Sequence, residues 1–232
     1  MSLEGSPMTT LSEATTVSSP YRSAGRAAIT SGVFGILALG VLIVAVAYMV
    51  KSNPEFSGFV DLMFRTHHVG VILQSVFMIP VVFALDTLAR QRFPSVSRAT
   101  LAVGVGSLSS IVLLAVLFLF NVVADDLYTV PQGVFGVWLM VVNQRLASVL
   151  PRGLTWFGTV VGFGLLLVGT FPLAYAIFVD PIGLHGPIPA NYPNPETTAN
   201  AIIHDVFYVG TVLGVWTYPF WTILLGRRLL RA

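Results

Sequence analysis

Six runs of apolar residues divide this chain, and their length leaves few folds open. They cover about 27–50, 67–88, 101–123, 131–148, 154–179 and 204–226. Each is long enough to cross roughly 30 Å of hydrocarbon as an α-helix. The runs are continuous rather than alternating, and they far exceed the roughly ten residues of a barrel strand. Inside a bilayer every backbone polar group must be bonded within the protein, which a helix does by itself. The expected fold class is therefore all-α, a polytopic membrane helix bundle with six transmembrane helices. The fourth run is the weakest, because Asn143, Gln144 and Arg145 crowd its end. Composition agrees: only 9% of residues are charged, against roughly 25% in a soluble domain.

Residues 1–22 are rich in Ser and Thr and lack an apolar run. They read as a disordered cytoplasmic tail rather than a signal peptide, with Met8 as an alternative start. Residues 23–232 then form one transmembrane domain.

Charge orients the spans. With the N-terminus inside, the cytoplasmic side holds Arg22, Arg26, Arg90, Arg92, Arg98, Arg145, Arg152, Arg227, Arg228 and Arg231, and the outer side only Lys51 and Arg65. Ten against two is a strong positive-inside bias, and it supports an even number of spans, because both termini then agree. The expected location is the bacterial cytoplasmic membrane, with both termini cytoplasmic. All four histidines (His67, His68, His185, His204) then fall outside, with seven of the ten acids.

Three outward-going spans open alike, as 26-RAAITSG-32, 98-RATLAVG-104 and 152-RGLTWFG-158, each with a proline upstream at Pro20, Pro94 or Pro151. Two inward-going spans close alike, as 138-WLMVVNQRL-146 and 221-WTILLGRRL-229. The matching offsets favour three repeated helical hairpins. Helix-end arginines and packing glycines also arise without repetition. At 149-VLPRGLTWFGTVVGFGLLLVG-169 and 216-WTYPFWTILLGRRLLRA-232 the chain resembles a broad group of bacterial six-span membrane proteins, frequent in actinobacteria. The resemblance is carried mainly by the C-terminal third. It implies the fold and the location, and brings no activity with it.

Several chemistries are excluded outright. There is no cysteine, so there are no disulfides, thiolate metal sites or cysteine nucleophiles. The single lysine, Lys51, stands at the end of the first span, which argues against a retinal Schiff base. Neither a phosphate-binding G-x-x-x-x-G-K-[ST] loop nor a G-x-S-x-G elbow occurs. No basic-aromatic patch points to nucleic acid.

The polar residues of the spans carry what remains. Residues seven apart on a helix lie about 20° apart in projection. Asp61, His68, Ser75 and Asp86 therefore share one face of the second helix, whereas His67 turns about 100° away, over Gln74. On the sixth span His204, Tyr208, Thr211 and Tyr218 share a face, with Asp205 beside it. Polar stripes on membrane helices turn inward. The ligand-binding candidates are thus Asp61, His68, Ser75, His204, Asp205 and Tyr208, lining an outward-opening pocket between spans two and six. Small-ligand or ion binding, or transport, is the expected function.

Two alternatives use the same residues differently. A membrane-embedded enzyme would hold a divalent metal between His68, His204 and a carboxylate such as Asp61, Asp125 or Asp126, or a haem between His68 and His204. A structural or accessory subunit would instead pack glycine faces and an aromatic belt of Trp138, Trp156, Trp216 and Trp221 against other membrane subunits or its own copies. Against both, interfacial histidines also cap helices and pair with nearby acids. Asp86 is expected to pair with Arg90 at i,i+4. The proline-rich connection 180–203 is a candidate cap bringing His185 near His204.

Overall fold

The computed structural model describes residues 20–50, 57–92, 98–184, 195 and 197–231. Helix α1 spans Pro20–Val50, α2 Ser57–Arg92, α3 Arg98–Leu119, α4 Thr129–Arg145 and α5 Arg152–Phe178. A sixth column consists of α6, Thr198–Gly210, a π turn, Thr211–Val215, and α7, Tyr218–Leu229. No strand occurs among the described residues. Five columns are long and apolar enough to cross a membrane: α1, α2, α3, α5 and the α6–α7 column. Helix α4 has 17 residues, the lower limit for a crossing helix.

Consecutive helices pack side by side from α1 to α5; α6 and the π turn continue on α5, and α7 returns to α1. The result is a closed ring. Its outer surface carries exposed apolar side chains on every helix, among them Leu37, Phe83, Leu113, Val137, Phe163 and Phe220. Its interior is a continuous core built around Met78, Leu85, Phe135, Trp138, Leu165 and Trp221.

Glycines set how closely the helices approach. A Cβ on Gly133 would stand 2.8 Å from the Gly169 Cα, and one on Gly136 would meet the Gly162 carbonyl. Small residues at both positions let the α4 and α5 backbones touch. The glycines of the Arg-x5-Gly motifs have specific partners. Gly104 lies under the Trp138 indole, Gly158 under Asn143 and Trp221, and Gly32 against Pro219 and Thr222. Two of the four tryptophans are therefore core residues. Trp138 and Trp221 are buried, whereas Trp156 and Trp216 are exposed, so the expected aromatic belt is reduced to the latter pair.

Several helix ends differ from the sequence expectation: α2 begins at Ser57 rather than 67 and α6 at Thr198 rather than 204. Helix α1 starts at Pro20, so residues 20–22 are helical rather than part of a tail. Proline suits a first helical turn, where its missing N–H has no partner to lose. Residues 1–19 lie outside the described residues. Helix α3 stops at Leu119, not 123, because Asn121 takes a left-handed conformation with φ 57°. Asn is one of the few residues that visit this region readily. Arg65 of α2 seals the end: Nη1 donates to the Leu119 carbonyl at 2.9 Å and Nη2 to Asn121 Oδ1 at 3.1 Å.

The sixth column bends its register at Thr211–Val215. Pro219 cannot donate to the carbonyl one turn before it. The chain widens locally instead, with Trp216 N–H donating to the Thr211 carbonyl at 3.0 Å. A π turn takes in an extra residue, so positions beyond it are rotated relative to those before.

Candidate functional site

Polar side chains collect in the middle of the ring. A cavity of about 40 Å³ is lined there by all six columns. Helix α2 supplies His67, Val71, Gln74 and Ser75, spaced i, i+4, i+7 and i+8, which is one helical stripe. Helix α4 and its leading residue supply Tyr128, Gln132 and Phe135, and the sixth column Val215 and Tyr218. The remaining walls are small or apolar: Gly35, Ala38 and Leu39 of α1, Leu108 and Ile111 of α3, Leu165 of α5.

Local packing explains why His67 faces inward. Gly70 and Ala38 bring α2 and α1 together, a Cβ on Gly70 standing 2.6 Å from that of Ala38. The buried His67 ring then reaches across and its Nδ1–H donates to the Ala38 carbonyl at 3.0 Å. Two turns further, Ser31 Oγ donates to the Gln74 carbonyl at 2.9 Å. The Gln74 amide itself lies over Gly35, where any side chain would collide with it. Gln74 Nε2 and the Tyr218 hydroxyl are both buried without a hydrogen-bond partner. Leaving such groups unpaired costs roughly 1–3 kcal/mol each. A polar cavity of this size has room for water bonded to several such groups.

Below the cavity the ring is closed by aromatic packing. Phe135 stacks on Trp138 at 5.2 Å between centroids, meets Tyr218 edge-on at 5.9 Å, and Tyr218 stacks on Trp221 at 6.3 Å.

The expected site residues divide among four places. Ser75 lines the cavity. His68 is buried but turns toward α3 and α4. Its Nδ1–H donates to the Phe64 carbonyl at 2.8 Å, and its ring lies 4.1 Å from Phe118 and 5.2 Å from Tyr128. Asp61 is exposed and held by Arg65 at 2.9 Å. His204 is half-buried among Phe171, Tyr175 and Tyr208, against α5, while Asp205 and Tyr208 are exposed. His68 and His204 thus have no ring neighbour in common. Spans two and six do both wall the cavity, but through His67, Gln74, Ser75, Val215 and Tyr218.

Among the described residues no three or more His, Asp or Glu side chains come together as a metal would require. His185, offered as part of a cap, lies outside the described residues. Asp86 pairs with Arg90 at 2.6 Å, as its spacing predicts, with only 6% of its side chain exposed.

Asp125 and Asp126 lie in the connection between α3 and α4, above the cavity. Asp126 Oδ1 is buried without a partner. Burial, with the neighbouring Asp125 carboxylate, pushes the Asp126 carboxyl up to about 6. The same burial and the two carboxylates raise the Tyr128 phenol well above its usual range. Asp126 therefore binds its proton more tightly folded than unfolded. Between about pH 4 and pH 6 the native state holds the extra proton, so stability falls as pH rises through this window. Asp126→Asn is expected to raise stability at pH 7 by about 1 kcal/mol, after allowing for partial solvent screening, and to flatten the dependence between pH 4 and 6. Thermal melts of the two proteins across that range check it; parallel curves would contradict it.

The residues that sequence reasoning missed are His67, Gln74, Tyr128, Gln132 and Tyr218. A signal for the first two existed: Gln74 is the one amide side chain within the second apolar run, and it stands two turns from His67. Tyr218 stood on the polar face of the sixth span, but that face was drawn through His204, Tyr208 and Thr211, which do not line the cavity; the π turn between them alters its direction.

The class defined by these observations is an all-α, multi-pass membrane bundle with a polar chamber inside a closed helical ring. No family model, no curated protein and no solved structure matches the chain.

Proposed function

We propose that this protein binds and passes protons through the ring interior. The observation that carries the reading is the cavity lined by His67, Gln74, Ser75, Tyr128, Gln132 and Tyr218, with two buried polar groups left unpaired. At about 40 Å³ the cavity admits species of water size, not a metabolite. Asp126 and Tyr128 lead into it from the histidine-bearing end. The aromatic stack of Trp138, Phe135, Tyr218 and Trp221 closes the other end and would act as the barrier.

The arginine asymmetry supports insertion in a bacterial cytoplasmic membrane with both termini inside. Six crossings fit this arrangement, because α4 lies antiparallel along α5, Gly133 meeting Gly169 and Asn143 meeting Gly158. The paired contacts of Gly104 with Trp138 and of Gly158 with Trp221 support related hairpins in α3–α4 and α5–α7. Membership of the actinobacterial six-span group belongs to the same reading.

Purified protein reconstituted in liposomes with an internal pH dye tests it. Under a potassium-driven membrane potential, the wild type is expected to acidify or alkalinise the lumen faster than protein-free liposomes. His67→Phe, which fills the cavity and removes the imidazole, is expected to lower the rate roughly tenfold or more, on the scale of losing one proton-transfer group. A wild-type rate equal to that of empty liposomes sinks the proposal.

A further inference from the structure

The arginine-rich end carries a second cavity, distinct from the central one. It lies between the start of α5 and the end of α7, and measures about 300 Å³. Pro151, Gly153, Leu154 and Phe157 form one wall, and Leu224, Arg227, Arg228 and Arg231 the other. We propose that this groove binds the phosphodiester headgroup of an anionic phospholipid, with an acyl chain laid along Leu154, Phe157 and Leu224.

Charge is the first argument. Arg227, Arg228 and Arg231 are exposed, and none forms an ion pair among the described residues. Asp86, toward the same end of α2, is already engaged by Arg90. Three guanidiniums on one wall leave a concentrated positive field, and arginine matches phosphate oxygens in a two-pronged geometry.

The opposite wall adds polarity of the same sign. Helix α5 opens at Pro151, with no side chain capping its first turn. The first N–H groups of a helix and its dipole favour an anion. A Cβ on Gly153 would meet nothing, so the backbone here is open to an approaching group.

The third argument selects a lipid over a soluble anion. Away from the arginines the groove turns apolar through Leu154, Phe157 and Leu224. Free phosphate gains nothing from these side chains, whereas an acyl chain continuing from a bound headgroup covers them. A zwitterionic headgroup would present its own cation to the three arginines. The expected preference is therefore for phosphatidylglycerol or cardiolipin over phosphatidylcholine.

Native mass spectrometry of the full chain in detergent, titrated with each lipid, tests this. The wild type is expected to retain phosphatidylglycerol at least tenfold more tightly than phosphatidylcholine. The triple variant R227Q/R228Q/R231Q is expected to lose that preference. A second triple variant, R22Q/R26Q/R98Q, removes as much charge from the same end outside the groove and is expected to keep it. Gly153→Phe, which leaves every arginine in place but fills the open floor, is expected to weaken retention as well. Equal losses in the two triple variants would reduce the effect to general charge attraction and overturn the site. So would undiminished retention in Gly153→Phe together with R227Q/R228Q/R231Q. Displacement of the lipid by millimolar glycerol phosphate would identify a soluble-anion site instead. All readouts are of binding, so they are independent of the proton measurement above.

Discussion

Gly164→Leu is expected to cost about 3 kcal/mol of stability, at the upper end for an overpacked core, and to disturb the ring itself. Gly164 sits where α5 meets the π turn. A Cβ there would stand 2.5 Å from the Leu213 carbonyl carbon and 2.7 Å from the Gly214 Cα. The atoms in the way are backbone, which cannot rotate aside as the tip of a side chain can. The contact is reciprocal, since a Cβ on Gly214 would lie 2.6 Å from the Gly164 carbonyl carbon. A leucine must therefore push the sixth column off α5, and with it Val215 and Tyr218 away from the cavity. Gly40→Leu is the matched control, because a Cβ on Gly40 meets nothing within 4 Å. It is expected to change stability by no more than about 0.5 kcal/mol. Thermal melts in a single detergent compare the two; similar melting temperatures would show that the close approach does not matter.

Trp221→Ala is expected to cost about 3–5 kcal/mol, the usual range for deleting a fully buried large aromatic side chain. Trp221 is 0% exposed. Its indole covers Gly158, stacks on Tyr218, and donates from Nε1 to the Leu154 carbonyl at 3.3 Å. Removing it opens a cavity beneath the polar chamber and takes away part of the barrier. Trp156→Ala offers the contrast, since Trp156 is 70% exposed and its loss is expected to stay within about 0.5 kcal/mol. Both are read by melting temperature and by intrinsic fluorescence. Equal destabilisation in the two variants would argue against the aromatic stack as a structural keystone.

The contrast between these tryptophans shows how far the sequence could be read. All four stand in or beside apolar runs, where an interfacial belt is a reasonable expectation. Which ones are buried depends on a glycine in another helix, Gly104 for Trp138 and Gly158 for Trp221. That information is long-range and leaves no local mark. The histidines teach the same lesson. Helical geometry correctly separates His67 from His68, since the separation follows from 100° per residue. It does not say which of the two faces the ring centre. The apposition of Gly70 and Ala38 decides that by letting His67 reach the α1 backbone.

Pairs within one helix were more legible. Asp86 and Arg90 are four residues apart on one surface, and they meet as that spacing requires. Asp61 and Arg65 have the same spacing, so the carboxylate proposed as a ligand is occupied by a neighbour available from the sequence. Pro219 was visible too, but its effect was not. A proline signals a lost hydrogen bond without saying whether the helix kinks, breaks or widens into a π turn.

The sequence by itself determined that this chain is helical and built for a bilayer. Long apolar runs need internal backbone bonding wherever they lie, and no distant contact alters that. It also determined the segregation of arginine from histidine and acid along the chain. The tertiary structure decided which polar groups meet. Each such meeting depends on how one helix is rotated and how closely it approaches another. Those rotations are fixed by glycine contacts between distant segments and by a single π turn, so the chamber exists only once the ring has closed.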